Sequence, residues 1–260
     1  MIPKLIHYCW FGGKKKPRLV RDCIKSWHKF LPDYKIIEWD ERNTDLSHEF
    51  VKEAYKLKKW AFVSDYIRLK MLYEFGGIYL DTDMMVLKSF NSLVENKCFF
   101  GAEDLNFISC GIIGAEKGND FINKCLFKYE TIVINKDSDC NLITMPFLVT
   151  QIFRKSYDFK MFFNKGLKVK DIVIYQTDFF YPLPNLMKND FINYRNYITS
   201  NTIAVHLWNA SWVDYDEFYY IKNKLYVKST KKILTNFFLV DSKREYIKKI
   251  LKEFYSAIRS

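Results

Sequence analysis

No stretch of the 260 residues approaches the roughly 18 consecutive apolar residues that a membrane-spanning helix needs. The six cysteines form no CxxC pair, and His7 and His28, near Cys9 and Cys23, complete no zinc-ligand spacing. The thiols are therefore expected to be reduced and mostly buried. No internal repeat, low-complexity tract or Pro/Gly/Ser-rich linker interrupts the chain, which excludes a repeat array and a string of tethered modules. A secretory leader places charge before a long apolar run. Here Met1-Ile2-Pro3-Lys4 leads through a short apolar stretch to Lys14-Lys15-Lys16, so no leader is expected.

What is present is ample material for a core. Hydrophobic residues make up 49% and aromatics 18%, which excludes general disorder, and the length suits one large domain or one with an appendage. The net charge of +11 suits nucleic acid, an anionic membrane or a phosphorylated substrate. Its distribution narrows the choice. Residues 221–260 hold nine Lys and two Arg against three acids, a net of +8, so residues 1–220 are close to balanced. Within that tail Ile247, Ile250, Leu251, Phe254 and Ile258 recur at helical spacing, and Lys243, Arg244, Lys248, Lys249 and Lys252 fill other positions. Such a basic amphipathic helix either docks on its own domain or lies on an anionic membrane surface with Tyr246 and Tyr255 near the interface.

The pattern along the chain alternates. Leu5 to Trp10 reads as a buried strand ending at the turn Phe11-Gly12-Gly13, Pro17–Leu31 as a helix, and Tyr34–Trp39 as a second strand. A helix from about Trp60 to Phe75 stops at Gly76-Gly77. Ile78-Tyr79-Leu80 is a short apolar strand, and the apolar stretch resumes at 84–87 after Asp81-Thr82-Asp83. Further strands are expected at 108–114, 172–175 and 203–207, and helices at 119–130 and 142–155. This is the alternation of an α/β fold with a mixed or parallel sheet.

A D-x-D alone is a weak signal, and this chain has others at Asp137/Asp139 and Asp214/Asp216. Only Asp81-Thr82-Asp83 ends an apolar strand, where open α/β sheets place ligand sites. Residues i and i+2 of an extended segment point the same way, so both carboxylates can face one point. They then repel unless a proton or cation lies between them, and Mg²⁺ or Mn²⁺ with substrate phosphates would relieve that repulsion. Two solvated carboxylates in a turn are the alternative. In the preceding helix Asp65 and Arg68 share one face inside an apolar run, as a buried structural ion pair or as groups awaiting a polar ligand.

These residues carry a resemblance. Ala61-Phe62-Val63-Ser64-Asp65-Tyr66-Ile67-Arg68, Leu72-Tyr73 and Gly76-Gly77-Ile78-Tyr79-Leu80-Asp81-Thr82-Asp83 resemble the signature of the DXD sugar transferases of glycosyltransferase family 32. That group includes capsular-polysaccharide and O-antigen transferases and is distantly similar to the glucosylating domains of clostridial toxins. Residues 2–13, Ser26-Trp27, Pro32-Asp33-Tyr34 and Trp39-Asp40-Glu41 resemble its opening units. His206-Leu207-Trp208-Asn209-Ala210-Ser211-Trp212 resembles its closing element in a form that departs from the toxins.

The resemblance spans roughly residues 2–213 and implies a GT-A fold, a Rossmann-like mixed sheet flanked by helices. Residues 1–215 would be the catalytic domain and 216–260 a basic helical extension. By resemblance Trp10 stacks on the nucleotide base, Asp65 and Arg68 hold the donor sugar, and Tyr79 and Asp81 lie near ribose and sugar. Ser211 and Trp212 join the donor site. Asp83 is a direct ligand of Mn²⁺ or Mg²⁺, with Asp81 beside it and His206 as the second protein ligand. Glu103 and Asp104 are candidates for contacts to sugar hydroxyls, with loops 103–109 and 137–146 setting selectivity. The implied activity is metal-dependent, retaining transfer of a hexosyl group from a nucleotide-sugar, expected to be a UDP-sugar. The expected acceptor is a lipid-linked glycan of a bacterial surface polysaccharide. The implied setting is cytoplasmic, peripheral on the inner membrane face through the basic helix. A protein acceptor is the alternative within this class. Outside it stand a non-catalytic sugar-binding protein and a nucleic-acid-binding protein. No aromatic-basic RNA motif occurs, so no nucleic-acid partner is expected.

Overall fold

The computed structural model describes residues 1–134, 144–209, 217–222, 224–238, 240 and 242–259. Ser211, Trp212, Cys140 and the pairs Asp137/Asp139 and Asp214/Asp216 lie outside the described residues, as does most of loop 137–146. The chain divides into two compact units, Met1–Asn209 and Ala210–Ser260.

The first unit is built on a seven-stranded mixed sheet. In chain order it comprises β1 (Leu5–Cys9), α1 (Arg18–Phe30), β2 (Lys35–Trp39), α2 (Glu49–Lys56), α3 (Trp60–Phe75), β3 (Gly77–Leu80), β4 (Met84–Val86), β5 (Cys98–Ala102) and β6 (Ile108–Ala115). Then follow α4 (Asp120–Tyr129), α5 (Met145–Tyr157), β7 (Leu167–Val169), β8 (Ile172–Tyr175), the single turn α6 (Thr177–Phe180), a run of 3-10 turns at Asn185–Tyr197, and β9 (Ala204–His206). The sheet order is β2-β1-β3-β6-β5-β8-β7. β1 pairs in parallel with β2 and β3, β6 is antiparallel to β3 and β5, and β5 and β8 are parallel. A mixed α/β sheet of Rossmann-like βαβ start is thus present.

The side chains explain the layering. One face carries the apolar stripes of α2 to α5, including Phe50, Phe62, Ile67, Leu72, Phe121 and Phe153. The other carries Trp27 of α1, Leu31 just past its end, the β4 strand and Phe180. Asn119 caps α4 by accepting from the amides of Phe121 and Ile122. Short, fully buried strands such as β5, with the sequence Cys98-Phe99-Phe100-Gly101-Ala102, show no alternation because both faces are covered; β5, α2 and β7 have no counterpart among the expected elements.

Gly76 and Gly77 carry the chain from α3 into β3 with φ of 66° and 113°, a backbone path that side chains resist. A Cβ on Gly77 would stand 2.8 Å from His7 Nε2. That ring is fixed: Trp39 Nε1 donates to His7 Nδ1 (3.1 Å), so His7 Nε2 carries the proton and donates to the Gly76 carbonyl (2.8 Å). Burial, opposed by the Gly76 bond, lowers the ring's pKa and keeps it neutral. Packing is tighter still at Gly114, where a Cβ would lie 2.0 Å from the Phe99 ring. Gly114→Ala should therefore destabilise the unit by about 3 kcal/mol or more. A chemical-denaturation midpoint equal to the parent's would contradict this packing.

β4 and β9 leave the main sheet and form a two-stranded antiparallel sheet in which Met84 pairs with His206. The five described cysteines, Cys9, Cys23, Cys98, Cys110 and Cys125, are free and buried. The second unit contains α7 (Glu217–Lys222), α8 (Tyr226–Asn236) and α9 (Lys243–Arg259). The apolar stripe of α9 is divided: Tyr246 and Ala257 are buried and Ile250 and Phe254 half-buried, whereas Ile247, Leu251, Tyr255 and Ile258 are exposed. Among the described residues no helix is long and apolar enough to cross a membrane.

Candidate metal and donor site

The site lies beyond the C-terminal end of β3. Leu80 is the last apolar residue of a buried strand, and the next backbone amide, that of Asp81, donates to the Gly111 carbonyl (2.8 Å). The turn closes when Met84 N–H donates to the Asp81 carbonyl (3.0 Å). This holds Asp81 and Asp83 at the sheet end and sends β4 toward β9.

His206, at the end of β9, brings its Nε2 to 3.1 Å from Asp83 Oδ1 and 3.9 Å from Asp81 Oδ2. Single ligand atoms of Asp81, Asp83 and His206 all lie within 4.8 Å of one another. Asp83 is further fixed by the backbone. Its Oδ2 accepts from the Asn209 amide (2.7 Å), and its carbonyl accepts from the Leu207 amide (3.1 Å). Burial would raise the Asp83 pKa, but His206 and the Asn209 amide outweigh it and hold the carboxyl below its ordinary value. Burial likewise favours neutral His206, yet Asp83, Asp81 and Glu103 draw its pKa upward. Its Nδ1 is buried with no hydrogen-bond partner among the described residues.

On the other side of Asp81 stands the buried pair from α3. Arg68 Nη2 lies 3.0 Å from Asp65 Oδ1 and 3.2 Å from Asp81 Oδ1. Its Nη1 donates to the Cys110 carbonyl (2.7 Å) and its Nε to the Ser64 carbonyl (3.3 Å). Arg68 is 6% exposed, and its guanidinium stacks 4.3 Å from the Tyr79 ring centroid. Tyr79 Oη in turn donates to Asp81 Oδ1 (3.1 Å). One cation thus serves two carboxylates. Burial pushes the Asp65 pKa up to about 6, with Arg68 opposing and Asp81 adding to the rise. In this geometry Arg68 acts first as a brace for Asp81, since each of its nitrogens already has a partner.

Trp10 stands just past β1, its Nε1 donating to the Lys14 carbonyl (2.6 Å) and Lys16 Nζ lying 5.6 Å from its ring centroid. Beside it the Gly12 amide donates to Glu41 (2.7 Å), and a Cβ on Gly12 would meet the Trp60 ring at 2.8 Å. Glu103, between β5 and β6, is held by the side chains of Asn185 and Ser109, and burial raises its pKa despite the opposing His206. Asp104 is exposed and caps its own turn by accepting from the amides of Asn106 and Phe107.

Sequence reasoning missed Gly111 and Tyr181. A Cβ on Gly111 would come within 3.2 Å of both Asp81 Oδ2 and Tyr181 Oη, so the absent side chain leaves room beside the carboxylates. Tyr181 accepts from the Ile112 amide (3.1 Å), and its ring centroid lies 5.7 Å from that of His206. No local pattern marks either residue.

The donor set suits a divalent ion. Two carboxylates and an imidazole converge where Asp65, Asp81, Asp83 and Glu103 outnumber the buried cation Arg68. Carboxylates suit hard divalent ions such as Mg²⁺ and Mn²⁺, and an imidazole adds a ligand of the kind transition-metal ions accept.

Residues 17–100 match the family model described as glycosyltransferase sugar-binding region containing DXD motif. Residues 17–100 are thus similar to the sugar-binding region of DXD glycosyltransferases, with Asp81 and Asp83 inside the match. Lactosylceramide 4-alpha-galactosyltransferase of Mus musculus is 27% identical over 168 residues, covering 60% of this chain and 42% of that protein. Uncharacterized glycosyltransferase L373 of Acanthamoeba polyphaga mimivirus is 25% identical over 229 residues, covering 82% of this chain and 84% of that protein. The solved PaToxG glycosyltransferase overlaps with a TM-score of 0.48 at 20% identity, covering 60% of this chain and 70% of that one. The chain thus matches less than half the length of the mouse enzyme.

Proposed function

We propose that the protein is a metal-dependent, retaining glycosyltransferase of GT-A type that moves a hexosyl group from a nucleotide-sugar, preferably a UDP-sugar, to a lipid-borne glycan. The observation that carries this reading is the convergence of Asp81, Asp83 and His206 at the end of β3, inside and beside the matched DXD region. Asp83, Asp81 and His206 would hold Mn²⁺ or Mg²⁺. Such an ion supplies charge neutralisation for a departing diphosphate. The protein's own residues set the frame: the Asn209 amide fixes Asp83, and Tyr79 and Arg68 fix Asp81. Trp10 would offer a flat face for the base and Asp65, Arg68 and Glu103 would contact the sugar, while Ser211 and Trp212 are donor-site candidates by resemblance alone.

Retention is assigned to front-face transfer, in which the departing phosphate oxygen takes the acceptor hydroxyl's proton. A retaining double displacement would instead need a free carboxylate nucleophile. Mass spectrometry of the protein with a slow donor analogue separates these paths, and a hexosyl adduct on Glu103 would refute the front-face assignment. The lipid-borne acceptor is supported by the basic second unit and by a relative whose name specifies lactosylceramide. That unit would attach the enzyme to the anionic inner face of the cell membrane, as expected of capsular-polysaccharide or lipopolysaccharide synthesis.

The test is thermal unfolding with UDP-, GDP- and dTDP-sugars, with Mn²⁺ and with chelator. A ligand near 100 times its Kd stabilises the native state by about 2.7 kcal/mol. A UDP-sugar with Mn²⁺ should raise Tm by several degrees, and chelator should abolish both that rise and donor hydrolysis. Absence of any donor-dependent shift in the presence of metal counts against the assignment.

A further inference from the structure

Strand β6 changes register against β5 beside the site. Phe100 pairs with Ile113 but Gly101 pairs with Ser109, so Cys110, Gly111 and Ile112 bulge from that ladder. On its other edge β6 keeps its pairing with β3, where Ile112 faces Leu80. Two bulged carbonyls serve the site. That of Cys110 accepts from Arg68 Nη1 (2.7 Å) and that of Gly111 from the Asp81 amide (2.8 Å). The third residue, Ile112, donates its amide to Tyr181 Oη (3.1 Å). Tyr181 reaches it by lying over Gly101, where a Cβ would stand 2.7 Å from its ring. A buried phenol thus holds the bulge in place.

Gly111 is glycine for a reason of space. It does not share the positive φ of Gly76 and Gly77, so its backbone imposes no demand for glycine. Nor does an aromatic ring take its Cβ position, as one does at Gly101 and Gly114. The atoms a Cβ would meet are Asp81 Oδ2 (3.2 Å), Tyr181 Oη (3.2 Å) and His206 Cδ2 (3.4 Å). Two of the three belong to the candidate metal ligands. The oxygen concerned is also the one Asp81 has to offer. Tyr79 Oη and Arg68 Nη2 both engage Oδ1, whereas Oδ2 stands 3.9 Å from His206 Nε2, beyond hydrogen-bond distance. A methyl group at 111 would press on that oxygen and on the imidazole. Its neighbours would have to yield by a few tenths of an ångström, and small hard cations tolerate little departure from ideal ligand geometry.

We infer that Gly111 is a positioning residue for the divalent ion: its bare backbone, fixed by the Tyr181 hydroxyl, sets the spacing at which Asp81 Oδ2 and His206 share one cation. This role rests on the proposed metal-dependent transfer and lies outside the D-x-D itself.

The experiment compares the full-length parent with G111A, Y181F and G166A, the last a control in which a Cβ would meet nothing nearer than 3.7 Å. Titration calorimetry with Mn²⁺ alone gives its Kd, and unfolding in chelator gives the metal-free Tm. Donor hydrolysis is followed over a range of Mn²⁺ concentrations. G111A should keep a metal-free Tm close to the parent's while its Kd for Mn²⁺ rises by about tenfold or more. Raising Mn²⁺ should return its hydrolysis toward the parental rate, a rescue that a folding defect would not show. G166A should match the parent throughout. Parental Mn²⁺ affinity in G111A, or an equal loss in G166A, overturns the inference. Should G111A fail to fold, Y181F decides, because it adds no atom and removes the acceptor of the Ile112 amide. Its Mn²⁺ affinity should fall by a similar factor, and parental affinity there overturns the inference. A parent that binds Mn²⁺ but acts on no nucleotide-sugar refutes the functional reading and leaves the role of Gly111 standing. A parent with no affinity for Mn²⁺ refutes both.

Discussion

Asp83→Asn should lower donor turnover by about 10²–10³-fold or more and abolish the stabilisation produced by Mn²⁺. The substitution keeps the side chain's size and one oxygen but removes the charge that faces His206 Nε2 at 3.1 Å. Two consequences follow from the geometry. The donor set loses one of its two carboxylates, and hard divalent ions depend on ligand charge. The register between Asp83 and β9 also loosens, because Oδ2 accepts the Asn209 amide at 2.7 Å and an amide side chain must choose which oxygen or nitrogen to present there. Thermal unfolding with and without Mn²⁺, beside donor hydrolysis, reads both effects. His206→Ala should also remove most of the Mn²⁺ response while sparing the Asp83–Asn209 bond. An Asp83→Asn protein that still gains stability from Mn²⁺ and turns over donor would remove Asp83 from the metal site.

The largest stability loss is expected at Arg68. Arg68→Met keeps a comparable apolar stem but leaves Asp65 and Asp81 without their shared cation, and four hydrogen-bond or ion-pair contacts disappear together. Removing one partner of a buried ion pair costs about 3–5 kcal/mol. For a unit of this size that lowers Tm by roughly 10 °C. The deficit should depend on pH with a defined sign. Asp65 already has a pKa raised to about 6, mainly by burial, and Arg68 is what restrains that rise. With a folded pKa above the unfolded one, the native state binds more protons, so stability falls as pH increases between the two values. Without Arg68 the folded pKa rises further and that falling window extends upward. The Tm difference between parent and Arg68→Met should therefore be larger at pH 8 than at pH 6, and Asp65→Asn in the Arg68→Met background should flatten that dependence. A deficit that grows on acidification would show that Asp65 is not the group left unpaired.

The legible and illegible parts of this molecule differ in the range over which their causes act. Helix α3 was readable to its ends because Gly76-Gly77 stops it locally, and the apolar strand running into Asp81-Thr82-Asp83 was readable because burial stops abruptly at a charge. Strand β5 was not, since a strand covered on both faces loses its alternation, nor was α2, an eight-residue helix held by its packing partners. Ile247, Ile250, Leu251, Phe254 and Ile258 of α9 read as one stripe, yet Ile250 and Phe254 are half-buried while Ile247, Leu251 and Ile258 remain exposed. Periodicity identifies an apolar side but not which part of it a neighbour covers.

By itself the sequence determined the α/β alternation, the strand end that presents Asp81 and Asp83, the helical spacing of Asp65 and Arg68, and the concentration of positive charge in the last forty residues. These are matters of neighbouring residues, set by periodicity, turns and solvation. The tertiary structure decided that one guanidinium braces Asp65 and Asp81, that Gly111 leaves space beside them, and that β4 leaves the main sheet to pair with β9. The last of these matters most. Met84 and His206 are directly opposed across that small sheet although well over a hundred residues separate them, and their backbone pairing is what brings an imidazole to two carboxylates. A hydrogen-bonded register between distant strands is a property of the folded chain, and no local pattern of residues records it.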